Sequence, residues 1–146
     1  MTTIFPKSHL HNPQYFLLDA NQKTLGRLAT EASKLLRGKE LSYYIPGIDQ
    51  GNFVMIINAN GIKVSGKKNL QKIYYFPSQR PGGLKTETYK SLKTRFPARI
   101  VERAIFGMLP KGVLGRQYYK RLYVYGNEPI LKKGIQKHSI WKKIVI

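Results

Sequence analysis

The chain lacks features that define several large classes of protein. Its 146 residues include no cysteine, which excludes disulfides, thiol catalysis and cysteine-based zinc sites. No apolar run approaches the roughly 18 residues needed to span a bilayer, and the first residues lack the apolar core of a secretory signal. The seven Asp and Glu residues form no evident acid–base pair, and His9, His11 and His138 lie near the termini. We therefore expect no enzyme, no metal site, no cofactor and no small-molecule substrate.

Negative charge is scarce, and the positive charge is placed unevenly. There are 26 Lys and Arg residues against 7 Asp and Glu, which gives a formal net charge of +19. Residues 1–62 hold six basic and four acidic side chains, whereas residues 63–146 hold twenty basic and three acidic ones. Such self-repulsion is costly in a compact domain unless a polyanion neutralises it. Nucleic acid is the expected partner, with an acidic membrane surface as the alternative.

The first half of the chain alternates between apolar runs and one amphipathic helix. The length and the 42% of hydrophobic residues indicate one domain with a sizeable core. Residues 15–20 and 53–58 are short apolar runs typical of buried strands. Between them a helix is predicted to begin at Leu25, capped by Thr24, and to end at Gly38. This order predicts a right-handed βαβ unit with a parallel sheet.

Two residues in the first turn of that helix are unusual. Gly26 costs about 1 kcal/mol relative to Ala inside a helix, so we expect another backbone to approach it closely. Arg27 opposes the helix dipole, and a phosphate contact would resolve that conflict.

A second amphipathic helix is predicted over residues 98–108. Pro97 precedes it, where a missing N–H costs nothing, and Pro110 follows it. Apolar residues recur at the spacing of one helix face, and Arg99 and Arg103 lie on the other side. Basic residues and tyrosines then follow over residues 111–121.

The segment between these helices contains three further signals. Residues 61–67 match G-x-x-x-x-G-K, but Lys68 occupies the place of the Ser or Thr that holds magnesium. We interpret this as a tight lysine-bearing turn. Residues 73–84 predict an exposed, bent loop in which two of three aromatics anchor to the core. Residues 86–94 predict a short helix capped by Thr86, and residues 122–126 a last strand.

Several motifs occur together in one order. They are LGRLAT (25–30), LLRGK (35–39), INANGIKVSGKK (57–68), RPGGLK (80–85), RIVERAIFGMLPKGVLGR (99–116) and LYVYGNE (122–128). Together they resemble the family of ribosomal protein thirteen of the large subunit, of the bacterial and organellar type. RPGGLK and MLPKGVLGR are most similar to the cyanobacterial and plastid members.

The resemblance implies an α/β fold with three layers, α/β/α, around a four-stranded and mostly parallel sheet. It implies an N-terminal arm over residues 1–14, an rRNA-binding domain over residues 15–128 and a basic C-terminal tail over residues 129–146. The implied function is that of a structural constituent of the large ribosomal subunit that binds large-subunit rRNA during assembly, beside neighbouring ribosomal proteins. The implied location is the ribosome, with a plastid favoured over the bacterial cytoplasm or a mitochondrion.

We expect phosphate contacts from basic side chains throughout the domain. They are Arg27, Arg37, Lys39, Lys63, Lys67, Lys68, Lys72, Arg80, Arg99, Arg103, Lys111, Arg116, Lys120 and Arg121. Two other functions stay open at this point. The chain could regulate RNA away from the ribosome, or the near phosphate loop could bind nucleotide.

Overall fold

A computed structural model describes residues 12–127 and 142–144. Its strands are β1 (Tyr15–Asp19), β2 (Phe53–Ile57), β3 (Ile73–Pro77), β4 (Leu84–Thr88), β5 (Leu122–Val124) and β6 (Lys142–Ile144). Its helices are α1 (Leu25–Arg37), α2 (Lys68–Gln71), α3 (Tyr89–Arg95), α4 (Pro97–Met108) and α5 (Val113–Tyr119). The predicted α/β class is confirmed. His9, His11 and most of the predicted C-terminal tail lie outside the described residues.

The main strands pair in parallel in the order β5-β2-β1-β6. Phe16 of β1 lies beside Val54 of β2, and Leu18 lies beside Ile56. All four of these side chains are buried and belong to the core that α1 and α4 cover. The predicted strand–helix–strand unit with parallel strands is therefore confirmed. Lys142–Ile144, which we assigned to the tail, instead pairs with β1.

Helix α1 follows its predicted pattern closely. Its predicted apolar stripe is buried throughout: Leu25, Leu28, Ala29, Ala32, Leu35 and Leu36. Gly38 ends the helix with φ +70°, and its N–H donates to the Leu35 carbonyl at 3.0 Å. A glycine suits this left-handed conformation because it has no Cβ to clash. Thr24 holds the N-cap position, but its side chain makes no capping hydrogen bond.

Helix α4 begins at Pro97, one residue before the predicted start, and ends at Met108, as predicted. Ile100, Val101 and Ile105 are buried, whereas Met108 is exposed at the helix end. Sequence analysis missed α5, which follows the break at Pro110. Gly115 within α5 packs so closely on the Pro110 carbonyl that a Cβ would overlap it. Glycine has a low helix propensity, so the sequence did not indicate a helix here. The close contact with Pro110 explains why Gly115 nevertheless lies in one.

Two predictions between β2 and α4 are wrong in detail. Residues 73–84 are not an extended loop, because β3 and β4 form an antiparallel hairpin with a turn over 78–83. The helix predicted over 86–94 begins later, at Tyr89. Thr88 caps it, and its hydroxyl accepts a hydrogen bond from the Ser91 N–H at 3.4 Å. Thr86 belongs to β4, where its β-branched side chain suits a strand. No helix within the described residues is long and apolar enough to cross a bilayer.

Candidate nucleic-acid interface

Helix α4 presents a second face, opposite its buried one. Arg99, Glu102, Arg103 and Phe106 occur at spacings of three and four residues, which places them on one side of a helix. Arg99, Arg103 and Phe106 are exposed, and Glu102 is half-buried. The helix therefore joins the core on one side and presents two cations, a carboxylate and an aromatic ring on the other.

The β3–β4 hairpin packs beside this exposed face of α4. The Arg103 guanidinium lies 4.1 Å from the centre of the Phe76 ring and donates to the Tyr75 carbonyl at 3.0 Å. Lys72 lies 5.4 Å from the centre of the Tyr74 ring. Tyr74 and Phe76 point inward, whereas Tyr75 is 54% exposed. The prediction that two of these three aromatics anchor the segment is confirmed.

Four grooves join along α4, because each shares two lining residues with the next. The first and second share Lys72 and Ala104, and the second and third share Arg103 and Phe106. The third and fourth share Phe76 and Arg99. We call this continuous surface the α4 groove. Its basic lining residues are Arg27, Lys68, Lys72, Lys85, Arg95, Arg99 and Arg103.

Few carboxylates oppose these cations within the described residues. Only Glu87 and Glu102 line the α4 groove. Glu87 forms an ion pair with Arg95 at 3.4 Å. Apolar and aromatic side chains lie between the basic ones. The α4 groove therefore combines positive charge with ring faces, which is typical of surfaces that bind nucleic acid.

The structure brings together only part of the predicted contact set. Arg27, Lys68, Lys72, Arg99 and Arg103 line the α4 groove. The remaining side chains, apart from two arginines, are exposed elsewhere on the domain: Lys39, Lys63, Lys67, Arg80, Lys111, Arg116 and Lys120. Sequence reasoning missed Lys85 and Arg95 in the groove, although Lys85 stands opposite Phe76 in the hairpin register.

Arg121 already has protein partners. Its guanidinium forms a bidentate pair with the Asp49 carboxylate, at 2.7 and 2.5 Å, and donates to the Gly51 carbonyl at 2.9 Å. Both charged side chains are about a quarter exposed. This pair fastens the loop before β2 to the start of β5. Its main role in the structure is therefore to hold that loop.

Arg37 also has a protein partner. It is half-buried, and its guanidinium donates to the Tyr44 hydroxyl at 3.1 Å. Its Nε is buried and has no hydrogen-bond partner within residues 12–127 and 142–144. Arg37 therefore ties the end of α1 to the following loop.

The near phosphate-loop motif does not form a phosphate cradle. A 3-10 turn over Ala59–Gly61 ends at the first residue of the motif, Gly66 and Lys67 form an exposed turn at its end, and α2 after them has only four residues. Ile62 is buried while Lys63 is exposed, and Lys63 makes a single bridge to Thr24. The motif therefore gives a surface turn whose Lys68 reaches the α4 groove.

Gly26 departs from its prediction. Within the part of the chain that the structure describes, no other backbone approaches it, because a Cβ there would have no neighbour within 4 Å. Gly26 instead lines the α4 groove beside Arg27 and Ser65. Its lack of a side chain leaves that part of the groove open.

The tyrosines near the groove stay neutral at ordinary pH. Burial raises the pKa of Tyr74, and Tyr89 raises it further, while Arg103 lowers it. Burial also raises the pKa of Tyr119, with a smaller contribution from Glu102. In the part of the chain that the structure describes, no group of three or more His, Cys, Asp or Glu could hold a metal ion.

The fold and this surface define an α/β protein with a long basic groove suited to a polyanion. Comparison with known proteins matches residues 13–130 to the model of the family described as ribosomal protein L13. The chain therefore belongs to the ribosomal protein L13 family, and the predicted resemblance is confirmed. Members of this family are structural, so the prediction that the chain is not an enzyme is also confirmed.

Individual relatives are cyanobacterial. The chain is 54% identical over 123 residues to a protein named large ribosomal subunit protein uL13 from Prochlorococcus marinus strain SARG, covering 84% of this chain and 82% of the relative. It is 54% identical over 112 residues to the protein of the same name from Synechococcus strain CC9902, covering 77% and 75%. The corresponding protein of Crocosphaera subtropica is 49% identical over 123 residues, covering 84% and 82%.

Proposed function

We propose that this chain is a structural constituent of the large ribosomal subunit and binds large-subunit rRNA through the α4 groove. The observation that carries the proposal is the continuity of that groove, which follows α4 past Arg27, Lys72, Arg103 and Arg99. A folded RNA presents closely spaced phosphates along such a path. Neutralising them releases counterions, which supplies most of the affinity.

The contacts position the domain on its RNA through shape and backbone. Double-stranded RNA is recognised mainly by phosphate and ribose contacts, because side chains cannot read its narrow major groove. The exposed cations outside the α4 groove extend the contact area onto neighbouring RNA segments: Lys39, Lys63, Lys67, Arg80, Lys111, Arg116 and Lys120. Arg37 and Arg121 contribute by holding the loop over residues 41–51 in place.

The finer architecture is part of the same proposal. Residues 15–128 form the rRNA-binding domain, residues 1–14 an arm and residues 129–146 a basic tail whose last strand joins the sheet. A four-stranded sheet with three layers is favoured by the half-buried second face of the sheet, where Tyr15 stacks on Phe53 with ring centres 4.8 Å apart.

We propose a plastid ribosome as the cellular setting, with the bacterial cytoplasm and a mitochondrion as alternatives and neighbouring large-subunit proteins as further partners. The cyanobacterial relatives support a ribosome of the cyanobacterial and plastid type. Fractionation of the source cells, followed by detection of the chain in plastid ribosomes, tests this location. Detection only in cytosolic bacterial or mitochondrial ribosomes would reject the plastid.

Two measurements test the function. The affinity of the full chain for large-subunit rRNA should fall on the order of a thousandfold between 50 and 200 mM salt, and a fall below tenfold would contradict the mechanism. The chain should also co-sediment with large subunits after a high-salt wash. Loss of the chain from washed subunits would favour the alternative, a regulatory RNA-binding protein that acts off the ribosome.

A further inference from the structure

The third segment of the α4 groove has a composition that phosphate binding alone does not explain. It has a volume of about 330 Å³ and is lined by Phe76, Arg99, Glu102, Arg103, Phe106 and Tyr119. Three aromatic side chains and a carboxylate therefore lie among its two arginines. A surface that bound only phosphates would exclude the carboxylate, because like charges repel.

Phe106 presents an open ring to this segment. Its side chain is 53% exposed, although it projects from a helix whose other face is buried. Tyr119 packs edge-on against it, with ring centres 5.2 Å apart and planes 73° apart. This contact braces one side of the Phe106 ring. The exposed part of the ring remains available for stacking, which every nucleobase can provide.

Glu102 presents a carboxylate with unused acceptors. Within residues 12–127 and 142–144 it forms no ion pair, although Arg99 and Arg103 line the same segment. Arg103 is held by Phe76 and the Tyr75 carbonyl, and Arg99 lies over the Phe96 ring at 4.5 Å. The two cations flank the carboxylate without neutralising it by direct contact. Its oxygens can accept hydrogen bonds from a ligand.

We propose that this segment binds one unstacked guanine of single-stranded RNA, with the base stacked on Phe106 and its Watson–Crick edge donating to Glu102. Arg99 and Arg103 would contact the phosphates on either side. The inference rests on the proposed rRNA-binding function and adds a base-specific site to it. Sequence-specific RNA recognition commonly uses such unstacked bases, held by an aromatic ring and read along one edge.

The chemistry of the carboxylate selects guanine among the four bases. An ionised carboxylate only accepts hydrogen bonds, and it can accept two at once. Guanine presents two adjacent donors, N1–H and the N2 amino group. Adenine and cytosine each place a ring-nitrogen acceptor beside their amino group, and uracil places a carbonyl on each side of N3–H. Those acceptors would face the carboxylate and be repelled.

The test uses the full chain and four labelled pentaribonucleotides that differ only at the centre: UUGUU, UUAUU, UUCUU and UUUUU. Fluorescence anisotropy at fixed salt should give about tenfold tighter binding of UUGUU than of UUUUU, the size of one good bidentate base contact. Equal affinity for all four pentamers would overturn the proposal.

Substitutions at Glu102 and Phe106 test the carboxylate and the aromatic ring separately. Glu102→Gln should abolish the preference for UUGUU while leaving UUUUU bound at least as tightly, because a repulsive charge is removed. Phe106→Ala should weaken UUGUU binding about tenfold through lost stacking, and Phe106→Leu, which keeps the apolar volume, should weaken it similarly. A preference that survives Glu102→Gln would overturn the proposal, as would unchanged binding by both Phe106 variants.

Matched controls lie outside the segment. Glu40→Gln removes an exposed carboxylate that forms no ion pair within the described residues, and Tyr75→Ala removes an exposed ring on the outer side of the hairpin. Both should keep the preference for UUGUU. If all pentamers bind equally while large-subunit rRNA still binds with a steep salt dependence, the guanine site is rejected and the proposed function stands. If the rRNA is not bound either, both are rejected.

Discussion

The α4 groove can be tested by removing two of its charges and measuring the salt dependence of RNA binding. Lys72 and Arg99 line different parts of the groove and are both exposed. Neither forms an ion pair within the described residues. Replacing both by glutamine removes two positive charges while leaving the buried face of α4 unchanged. The control is Lys34→Gln with Lys90→Gln, which removes the same formal charge from surfaces outside the groove, although Lys34, unlike the two groove residues, forms an ion pair with Glu31 at 3.4 Å.

The size of the effect follows from the groove lining. Excluding Arg95, which pairs with Glu87, the basic residues able to meet phosphates are Arg27, Lys68, Lys72, Lys85, Arg99 and Arg103. Each neutralised phosphate contributes about −0.7 to −0.9 to the slope of log affinity against log salt. The unmodified groove should therefore give a slope of about −4 to −5, and the double variant a slope of about −3 to −3.5.

These slopes give measurable differences. Between 50 and 200 mM salt, the six groove contacts should account for a roughly 300- to 2,000-fold loss of affinity for large-subunit rRNA, and the four contacts left in the Lys72 and Arg99 double variant for a roughly 50- to 150-fold loss. The exposed cations outside the groove add the same further loss to both proteins. Filter binding at four salt concentrations provides the slopes, and circular dichroism verifies that each variant is folded. The reasoning is refuted if the groove variant keeps the unmodified slope, or if the control variant reduces the slope equally.

Further predictions concern stability, each measured by urea or thermal unfolding. Tyr89→Phe should leave the free energy of unfolding unchanged or raise it by about 1 kcal/mol, because the buried hydroxyl has no hydrogen-bond partner among the described residues; a loss above that size would contradict this. Arg121→Met should cost about 1–3 kcal/mol through the lost charged hydrogen bonds to Asp49, and an unchanged midpoint would contradict this. Gly38→Ala should cost at least about 1–2 kcal/mol, because φ is +70° and a Cβ would overlap the Gln50 backbone; a neutral result would contradict the left-handed conformation. The contribution of Tyr74 to stability should be constant below the ordinary tyrosine pKa of 10.0 and be lost above it, because burial raises its pKa in the folded state and the unfolded chain ionises first; the loss is at most about 1.4 kcal/mol per pH unit for each such tyrosine, and a Tyr74→Phe variant that loses stability as steeply above pH 10.0 would contradict this.

Local periodicity was sufficient to predict the elements that use one face for the core. The leucines and alanines of α1 and the isoleucines and valine of α4 repeat at helical spacing, and both helices form where the spacing predicts. The hairpin was harder to recognise. Its strands show only a weak alternation, because Tyr75 is exposed between two inward aromatics and Pro77 and Gly82 resemble loop residues. Strand pairing between β3 and β4 supplies the hydrogen bonds that the sequence pattern alone does not reveal.

The candidate nucleic-acid interface could likewise be predicted only in part from the sequence. A list of exposed cations could be written from the sequence, since charged side chains are costly to bury. The sequence did not reveal that Arg121 is held by Asp49, which lies far away along the chain, or that Lys85 and Arg95 reach the same groove as Arg27. Those contacts depend on how distant segments pack.

The amino-acid sequence was enough to predict the family, the α/β class, the two amphipathic helices and the concentration of positive charge after residue 62. Each of these depends on composition, on motif order or on neighbours within a few residues. Packing between distant segments was needed to show which cations share a groove, which are paired with carboxylates, and that Phe76 and Tyr119 lie beside Phe106 and Glu102. The physical reason is that hydrophobic burial fixes which face of each helix turns inward, while the opposite faces meet only after the whole core has packed.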